Sequence, residues 1–388
     1  MLIPTARARV RAGRAAARLV TVSPREVLMH LLRPAGGGIH LVSTGKAEQL
    51  ALQRRLYGAD DEAGVRARWR EDLARIPAAR GVLLGIPSDV GAGFQRGANL
   101  APGAIRARLL EEDPGFADRA RALGLVDLGD VFVVPQLLHD EMLSGPQLAA
   151  SRHALYPDLA PDDAARLPAS PLSIAERALS LVLAENPRAK VFALGGDHST
   201  AWPVVKTLAA ARPGIGIVQL DAHTDLLAER LGVRYCFATW SYHANELLGR
   251  GGRLVQVGTR ASGHDRAHWE STLGVRQHWA ADVRRDPAAA LDAILADVRA
   301  AGVREVYLSN DIDGTDEAYA DATGTPEPGG LEPDFVSALV ARLGREVGLA
   351  GGDVMEVAPA VQRTPGGGAR TVALGARYLR ETIAAALG

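Results

Sequence analysis

The chain has 388 residues, of which 47% are hydrophobic, and a formal net charge of -1 at pH 7, so it can bury a large core in one or two domains. The near-neutral charge gives no support to binding of nucleic acid or of a membrane surface, and no apolar run approaches the roughly 20 residues of a membrane span. Cys236 is the only cysteine, which excludes an intrachain disulfide and predicts a reducing compartment, the cytoplasm.

The first 80 residues lack a clear pattern, and we expect an N-terminal extension that is partly disordered or helical. Residues 1–20 are rich in Arg and Ala and contain no acid. They could be a targeting arm, although they lack the apolar stretch of a secretory signal, or a basic tail. Residues 62–73 could form a helix that Gly64 weakens in its first turn.

An organised α/β pattern begins at residue 81. The apolar run Gly81–Ile86 predicts a first strand, and Pro102 predicts the first turn of a helix that continues to Leu110. The loop between them, residues 87–98, is rich in glycine. Arg96 stands where the third glycine of a dinucleotide-binding motif would fall, so we expect a flexible loop beside a site and no nucleotide site.

Strands and helices alternate through the rest of the chain. Further strands are expected at residues 125–134, 190–194, 215–220, 254–257 and 305–308, with another inside 351–357. Further helices are expected at residues 173–185, after residue 199, and at residues 286–302, 334–345 and 370–387. Ser173 and Glu176 form a capping box that would open the first of these. The alternation predicts an α/β fold with a mostly parallel, doubly wound sheet.

We expect residues 81–388 to form one catalytic domain, because no repeat or linker interrupts them. Residues 136–170, with many Pro, Ala and Asp, break the pattern. They are interpreted as an insertion that could serve as a lid or as an oligomer contact.

Acids and histidines cluster directly after three of the predicted strands. The metal-capable side chains are His198, Asp221, His223, Asp225, Asp311 and Asp313. In an open α/β sheet, ligands bind outside the carboxyl ends of the strands, so these clusters are expected to meet there. Any one cluster alone would more often be a helix cap, a turn or a buried histidine. Three together would repel one another without a cation, so the sequence predicts a metal site.

The donor set also indicates the metal and its chemistry. Four carboxylates and two imidazoles exceed the needs of one ion, so we expect two ions per chain that share bridging carboxylates. An oxygen-rich set without thiolate favours Mn²⁺ over Zn²⁺, Fe²⁺ or Ni²⁺. A pair of such ions lowers the pKa of a bound water, which points to hydrolysis.

Three motifs resemble the ureohydrolase family of arginases, agmatinases and formimidoylglutamases. They are Gly-Gly-Asp-His-Ser at 195–199, Asp-Ala-His-Thr-Asp at 221–225 and Ser-x-Asp-x-Asp-x-x-Asp at 309–316. The resemblance extends from about Gly81 to the C-terminus and includes the turn 324–330. It implies a three-layer α/β/α sandwich that assembles as trimers or hexamers.

The resemblance also implies roles for single residues. His198, Asp221, Asp225 and Asp311 would hold one ion, and His223 and Asp313 the second, with Asp221 and Asp311 bridging. Asp313 would accept a proton during catalysis. Glu356 would bind the planar cation of the substrate, as a carboxylate pairs well with a guanidinium group.

The chain departs from the family pattern where a His-Gly pair is expected to shuttle protons. An ungapped count places Cys236 and Phe237 there, and the nearest histidine is His243. Cys236 could replace the shuttle, His243 could swing in, or Cys236 could be a small buried residue, with proton delivery left to another group. Tyr235, Phe237, Trp240 and Tyr242 could pack in the core or form a wall for a larger or cationic substrate.

Other departures concern the substrate. Asp316-Glu317 and Asp321-Ala322 replace Asp-Pro and Pro-Gly, and the loop by which arginases grip an amino acid is not recognisable in residues 226–235. We therefore expect a hydrolase that cleaves a C–N bond of a guanidino or amidino compound, of the agmatinase, guanidinobutyrase or formimidoylglutamase type, and not a plain arginase. The alternatives are a metal-binding pseudoenzyme with a regulatory or scaffolding role and a deacylase with a single Zn²⁺.

Overall fold

A computed structural model describes residues 23–388, which contain a nine-stranded sheet in the order β1-β3-β2-β4-β9-β8-β5-β6-β7. The strands are β1 (Leu32–Arg33), β2 (Gly81–Ile86), β3 (Leu125–Val131), β4 (Lys190–Gly195), β5 (Ile215–Leu220), β6 (Leu254–Val257), β7 (Arg276–His278), β8 (Glu305–Asn310) and β9 (Leu349–Val354). The pairing of β1 with β3 is antiparallel and the other pairs are parallel. The parallel strands therefore end at one common edge.

Helices cover both faces of the sheet. They are α1 (Pro24–Leu31), α2 (Lys46–Tyr57), α3 (Glu62–Leu73), α4 (Ala101–Glu112), α5 (Phe116–Ala122), α6 (Gly145–Leu155), α7 (Pro161–Ala164), α8 (Pro171–Glu185), α9 (Ala201–Ala211), α10 (Trp240–Leu247), α11 (Arg266–Leu273), α12 (Ala280–Arg285), α13 (Pro287–Ala300), α14 (Pro333–Glu346) and α15 (Gly367–Leu387). None of the helices between residues 23 and 388 is both long and apolar enough to span a bilayer.

Successive residues of β2 show how the layers form. Val82 and Leu84 join the buried cluster that includes Leu179 of α8, whereas Leu83 joins the cluster that includes Leu379 of α15. Side chains of a strand point alternately to its two faces, so each cluster is one of the two cores of an α/β/α sandwich. The predicted fold is confirmed.

One predicted boundary is wrong. Helix α8 begins at Pro171 with Ser170 at its N-cap, so Ser173 lies inside the helix and does not form a capping box with Glu176. The Ser173 hydroxyl instead accepts a hydrogen bond from the Asp140 backbone N–H at 3.0 Å. A proline at the first helical position is a strong start signal. Because of Pro171, the helix begins two residues before the predicted start at Ser173.

Residues 24–80 pack against the sheet. Leu28 and Leu31 of α1 are fully buried, and β1 adds an edge strand. Asp130 on β3 accepts a backbone hydrogen bond from Gly36 at 2.7 Å and pairs with the buried Arg106 at 2.6 Å. The hydrogen bond from Gly36 ties the N-terminal segment to the sheet, and the ion pair with Arg106 holds the Asp130 carboxylate in place. The prediction for residues 1–20 lies outside the described residues.

The segment 136–170 contains α6 and α7 and folds back on itself. Asp140 accepts a hydrogen bond from the Ser170 backbone N–H at 2.8 Å, and the Tyr156 hydroxyl donates to the Pro168 carbonyl at 2.5 Å. These contacts close the excursion at the point where α8 begins. Its role as a lid or oligomer contact stays a prediction.

Candidate metal centre

The six predicted ligands follow three strands near the middle of the sheet. His198 follows β4, the segment 221–225 follows β5, and Asp311 and Asp313 follow β8. Strands β8 and β5 are neighbours, and only β9 separates β8 from β4. Because the strands are parallel, the three loops leave the sheet at the same edge and converge.

One group of donor atoms surrounds the Nδ1 atom of His198. This atom lies 3.2 Å from Asp221 Oδ2, 3.5 Å from Asp225 Oδ2 and 2.9 Å from Asp311 Oδ2. All four side chains are buried. The arrangement brings together the four residues expected to hold one ion.

A second group surrounds the Nδ1 atom of His223, which lies 3.1 Å from Asp313 Oδ2 and 3.5 Å from Asp221 Oδ1. Asp221 therefore turns one oxygen toward each group, as a bridging carboxylate would. Asp311 turns Oδ2 toward the first group, and its Oδ1 accepts the backbone N–H of Asp313 at 3.0 Å. Sharing of Asp311 between two ions stays a prediction.

The electrostatics of the cluster suit a bound cation. Burial and the Asp221 charge raise the pKa of Asp225 well above its usual range, and burial, Asp313 and Asp221 do the same for Asp311. No lysine or arginine within residues 23–388 forms an ion pair with the side chains of the four candidate carboxylates. Buried carboxylates need compensating charge, and the two imidazoles can offer neutral nitrogen ligands, so the donor set fits divalent ions.

Hydrogen bonds behind the cluster orient His198. Its Nε2 lies 3.0 Å from the Ser309 hydroxyl, which donates to Asp353 at 3.1 Å. The serine oxygen can then accept a hydrogen bond from Nε2–H. In this tautomer Nδ1 carries no proton and can bind a metal ion. Such outer partners commonly fix the tautomer of a ligand histidine. On another side, Trp240 stacks on the His198 ring, with centroids 4.5 Å apart, and its indole N–H donates to Asp225 at 3.0 Å.

Two site residues adopt strained backbone conformations. Asp225 has φ +52° and Glu356 has φ +61°, in the left-handed region that residues other than glycine rarely occupy. Surrounding structure must hold such residues in place, and they concentrate at functional sites. The strain adds an independent reason to place Asp225 and Glu356 in the site.

Glu356 lies directly beside the cluster. Its Oε1 accepts the backbone N–H of His198 at 2.9 Å, and burial, with the charges of Asp197 and Asp313 adding to it, raises its pKa well above the usual range. Within the described part of the chain, no hydrogen-bond donor contacts its Oε2. A cationic group entering the site could therefore pair with this oxygen.

The structure separates the two candidates for the missing shuttle. Cys236 is buried, and burial raises the pKa of its thiol, with the nearby charges of Asp225 and Asp197 acting in the same direction. The His243 ring packs against Trp202, Tyr235 and Tyr242, and its Nε2 lies 2.9 Å from the Arg234 carbonyl. Cys236 thus lies near the cluster, whereas His243 belongs to an aromatic group behind it.

The aromatic residues between positions 235 and 242 also lie in different surroundings. Tyr235 stacks on Trp202, with centroids 5.8 Å apart. Phe237 faces the glycine-rich loop, where its backbone N–H donates to the Gly91 carbonyl at 3.0 Å, and Arg230 lies 4.8 Å above its ring. Phe237 and Arg230 are the members of this region placed beside the loop 87–98.

Asp316, which the family pattern shares, and Asp321, which departs from it, organise loops. Asp316 accepts backbone hydrogen bonds from Ala318 at 3.0 Å and Gly330 at 2.8 Å, and Asp321 accepts one from Thr364 at 2.8 Å. At residue 321, a carboxylate that bonds to Thr364 thus holds a turn where the family pattern has a proline. Asp316 and Asp321 shape the turns around the site without joining the cluster.

Several residues near the site were not predicted from the sequence. They are Asp197, whose side chain accepts the Gly91 backbone N–H at 3.0 Å, Gln219, Ser309, Asp353, and Arg260, whose guanidinium donates to the carbonyls of Asp313 at 2.7 Å and Glu327 at 2.8 Å. A polar residue inside an apolar strand, as at Gln219 and Asp353, is the signal that could have revealed two of them.

Stability of the metal-free protein is expected to rise as the pH falls from about 7 to about 5. Burial raises the pKa of Asp197 and of Asp353 to about 6. Each therefore binds its proton more tightly in the folded chain than unfolded, where a carboxyl titrates near ~4, so folding gains as the pH falls through this window. The raised pKa values of His198 and His223 act in the same direction. The lowered pKa values of His139, His243 and His278, which burial causes, oppose it.

Melting temperatures at pH 5, 6 and 7, with a chelator and with Mn²⁺, check this expectation. Metal should reverse the trend, because its ligands must be deprotonated. A metal-free melting temperature that falls steadily between pH 7 and pH 5 would contradict the expectation that the buried carboxyls set the trend.

Comparison with known proteins gives a consistent result. The profile described as Arginase family matches residues 79–385. A guanidinobutyrase from Pseudomonas aeruginosa is 29% identical over 318 residues, which cover 80% of this chain and 87% of that protein. An N(1)-aminopropylagmatine ureohydrolase from Thermus thermophilus is 34% identical over 72% of this chain and 83% of its own. The solved structure of proclavaminate amidino hydrolase from Streptomyces clavuligerus matches with a TM-score of 0.59 at 28% identity, covering 80% of this chain and 94% of that one.

Proposed function

Since the chain belongs to the arginase family and is a hydrolase of carbon–nitrogen bonds other than peptide bonds, we propose that it cleaves a guanidino or amidino compound at a binuclear manganese centre. The observation that carries this proposal is the shared carboxylate of Asp221, which turns one oxygen toward each of two donor groups. A site for one ion would have no use for the second group.

The proposed ligands of the first ion are His198, Asp221, Asp225 and Asp311. Those of the second are His223 and Asp313, with Asp221 and Asp311 bridging. Manganese at these positions would supply an activated water at neutral pH, and the absence of a thiolate donor in the set favours Mn²⁺. The chain holds these donors in place through the Ser309 and Trp240 hydrogen bonds described above.

Glu356 is proposed to bind the planar cation of the substrate. Its Oε1 is already fixed by the His198 backbone N–H, so its second oxygen has a set direction. A carboxylate opposite a guanidinium or amidinium group gives a charge-assisted hydrogen bond and orients the central carbon. Loss of this contact would lower substrate capture while leaving the donor groups intact.

Proton transfer is assigned to Asp313, whose Oδ2 lies beside the Thr325 hydroxyl at 3.3 Å. It would take the proton of the attacking water. The departing nitrogen must also gain a proton, and Cys236 and His243 are the proposed sources. The raised pKa of the Cys236 thiol keeps it protonated at pH 7, which suits a donor better than a base. The position of Cys236 near Asp225 favours it over His243.

The substrate is proposed to be a guanidino or amidino compound other than free arginine. The relatives named above are a guanidinobutyrase, an aminopropylagmatine ureohydrolase and a proclavaminate amidinohydrolase. Manganese-loaded protein should release urea or ammonia from at least one member of a panel of guanidino acids, guanidino amines and formimino compounds. Failure with the whole panel, at full metal occupancy, would refute the proposal.

A metal-binding pseudoenzyme is the second candidate, because Cys236 and Phe237 occupy the place of the expected His-Gly pair. Asp225→Asn separates the two functions. Turnover in the wild-type protein that this variant abolishes would exclude the pseudoenzyme, whereas metal binding without turnover on any substrate would favour it.

We further propose a cytoplasmic homo-oligomer, a trimer or hexamer. The single cysteine suits a reducing compartment, and the family resemblance supports the assembly. Light scattering on the purified protein measures the assembly directly, and a monomeric mass at micromolar concentration would contradict it.

A further inference from the structure

Three glutamines lie side by side on neighbouring strands in the buried interior of the sheet. Gln219 on β5 is the register partner of Gln256 on β6, which is the register partner of Gln277 on β7. None is more than 2% exposed. A buried amide costs free energy unless its donors and acceptor are paired, so these three side chains must find partners within the protein.

They find them in one another. Gln277 Nε2 donates to Gln256 Oε1 at 2.8 Å, and Gln256 Nε2 donates to Gln219 Oε1 at 2.8 Å. Gln219 Nε2 then donates to Asp221 Oδ2 at 2.7 Å. The result is a glutamine chain that runs from the edge strand of the sheet to the carboxylate shared by the two donor groups.

The partners at its ends and middle fix the direction of this glutamine chain. The indole N–H of Trp279 donates to Gln277 Oε1 at 3.0 Å, and an indole can only donate. Gln256 Nε2 also donates to the Thr224 carbonyl at 2.6 Å, which can only accept. At the other end, the carboxylate of Asp221 accepts. The Trp279 indole, the Thr224 carbonyl and the Asp221 carboxylate all require the same orientation of the amides. In each glutamine the NH2 group therefore lies on the side toward Asp221, and the carbonyl oxygen lies on the side toward Trp279.

We infer that Gln219, Gln256, Gln277 and Trp279 together position Asp221 for metal binding. The inference rests on the proposed metal centre. Aligned amides polarise one another, by roughly 10–30% per bond, so the last N–H is a stronger donor to Asp221 than an isolated one. Gln256 also holds the Thr224 carbonyl, which fixes the backbone between Asp221 and Asp225. The glutamine chain thus limits the rotation of the carboxylate that both ions would share.

Methionine has nearly the shape of glutamine but lacks the NH2 donor and the carbonyl acceptor of its amide, so it tests this role. Gln219→Met removes the direct partner of Asp221 and should weaken Mn²⁺ binding by about 10- to 100-fold. Gln277→Met leaves every candidate ligand and its direct partner in place. It should still weaken binding by about 3- to 10-fold, because the polarised chain is interrupted. Trp279→Phe should weaken binding in the same direction but by less than Gln277→Met, because it removes only the terminal donor.

Asn245→Leu is the matched control. Asn245 is a fully buried amide on α10 that donates to the Leu273 carbonyl at 2.9 Å and has no bond to the glutamine chain. Its loss should lower the melting temperature of the metal-free protein without changing Mn²⁺ affinity. Gln277→Met and Asn245→Leu should lower the melting temperature by similar amounts. If only Gln277→Met binds Mn²⁺ more weakly, general destabilisation does not explain the weaker binding.

The experiment titrates metal-free full-length proteins with Mn²⁺ and measures the free ion by electron paramagnetic resonance, beside their melting temperatures. Weaker binding in Gln277→Met and Trp279→Phe than in Asn245→Leu is the expected result. Wild-type affinity in both of these variants, with weakening only in Gln219→Met, would overturn the inference while leaving the metal centre intact. A wild-type protein that binds no Mn²⁺ would refute the metal centre and, with it, this role.

If a variant does not fold, the wild-type protein still decides. Glutamine side chains labelled with ¹⁵N should show shifted amide signals at Gln219, Gln256 and Gln277 when the metal-free protein takes up diamagnetic Zn²⁺. A shift restricted to Gln219 would show that the coupling stops at the first residue.

Discussion

Replacing Asp221 with asparagine is expected to remove both metal ions and to abolish hydrolysis. Asp221 Oδ2 lies 3.2 Å from His198 Nδ1, and its Oδ1 lies 3.5 Å from His223 Nδ1, so this one carboxylate serves both donor groups. Removing an outer partner of a metal ligand already lowers metal affinity or activity by about 10- to 100-fold. Removing a ligand that two ions share should lower them further. We expect less than one hundredth of the wild-type activity and less than one bound ion per chain, measured by elemental analysis after dialysis.

Asp316→Asn is a suitable control for this variant. Asp316 lies in the loop that follows β8, near the same edge of the sheet, and accepts hydrogen bonds from backbone N–H groups. It does not join the cluster, and asparagine keeps a carbonyl acceptor. Its metal content should equal that of the wild-type protein. If Asp221→Asn also kept two ions per chain, the shared carboxylate would be wrongly assigned.

Replacing Glu356 with glutamine is expected to damage catalysis without loss of metal. The amide oxygen can still accept the His198 backbone N–H, which holds the loop, but the negative charge opposite the substrate cation is gone. A hydrogen bond to a charged group contributes about 1.5–3 kcal/mol, so kcat/KM should fall by about 10- to 150-fold. Steady-state kinetics on the substrate found in the panel measure this loss.

The comparison of metal contents decides how the Glu356 result is interpreted. Two ions per chain in Glu356→Gln would place the defect in substrate binding. A loss of metal in Glu356→Gln would show that Glu356 belongs to the metal centre, and its role as the substrate acid would be wrong.

The parts of this molecule that the sequence could predict are those set by local pattern. The apolar run Ile215–Leu220 specifies a buried strand, and parallel strands must end at one edge, so the convergence of the acids that follow them required no knowledge of distant contacts. The structure places Asp221 and Asp313 accordingly, 3.5 Å and 3.1 Å from the same imidazole nitrogen. The metal that they would bind stays a proposal.

The parts that could not be predicted depend on tertiary register. β1 and β7 have two and three residues, too few to show a period. Gln219, Gln256 and Gln277 stand far apart in the chain, and only the pairing of β5, β6 and β7 brings them into contact. The choice between Cys236 and His243 likewise depends on how α10 packs, which no local pattern contains.

The most direct test of the metal centre is anomalous diffraction from crystals of the full chain grown with Mn²⁺. Two peaks are expected in each chain, one bonded to His198 Nδ1 and the other to His223 Nδ1, with Asp221 contacting both. Crystals saturated with Mn²⁺ that show no peak among these side chains, or a single peak that Asp221 does not contact, would contradict the account.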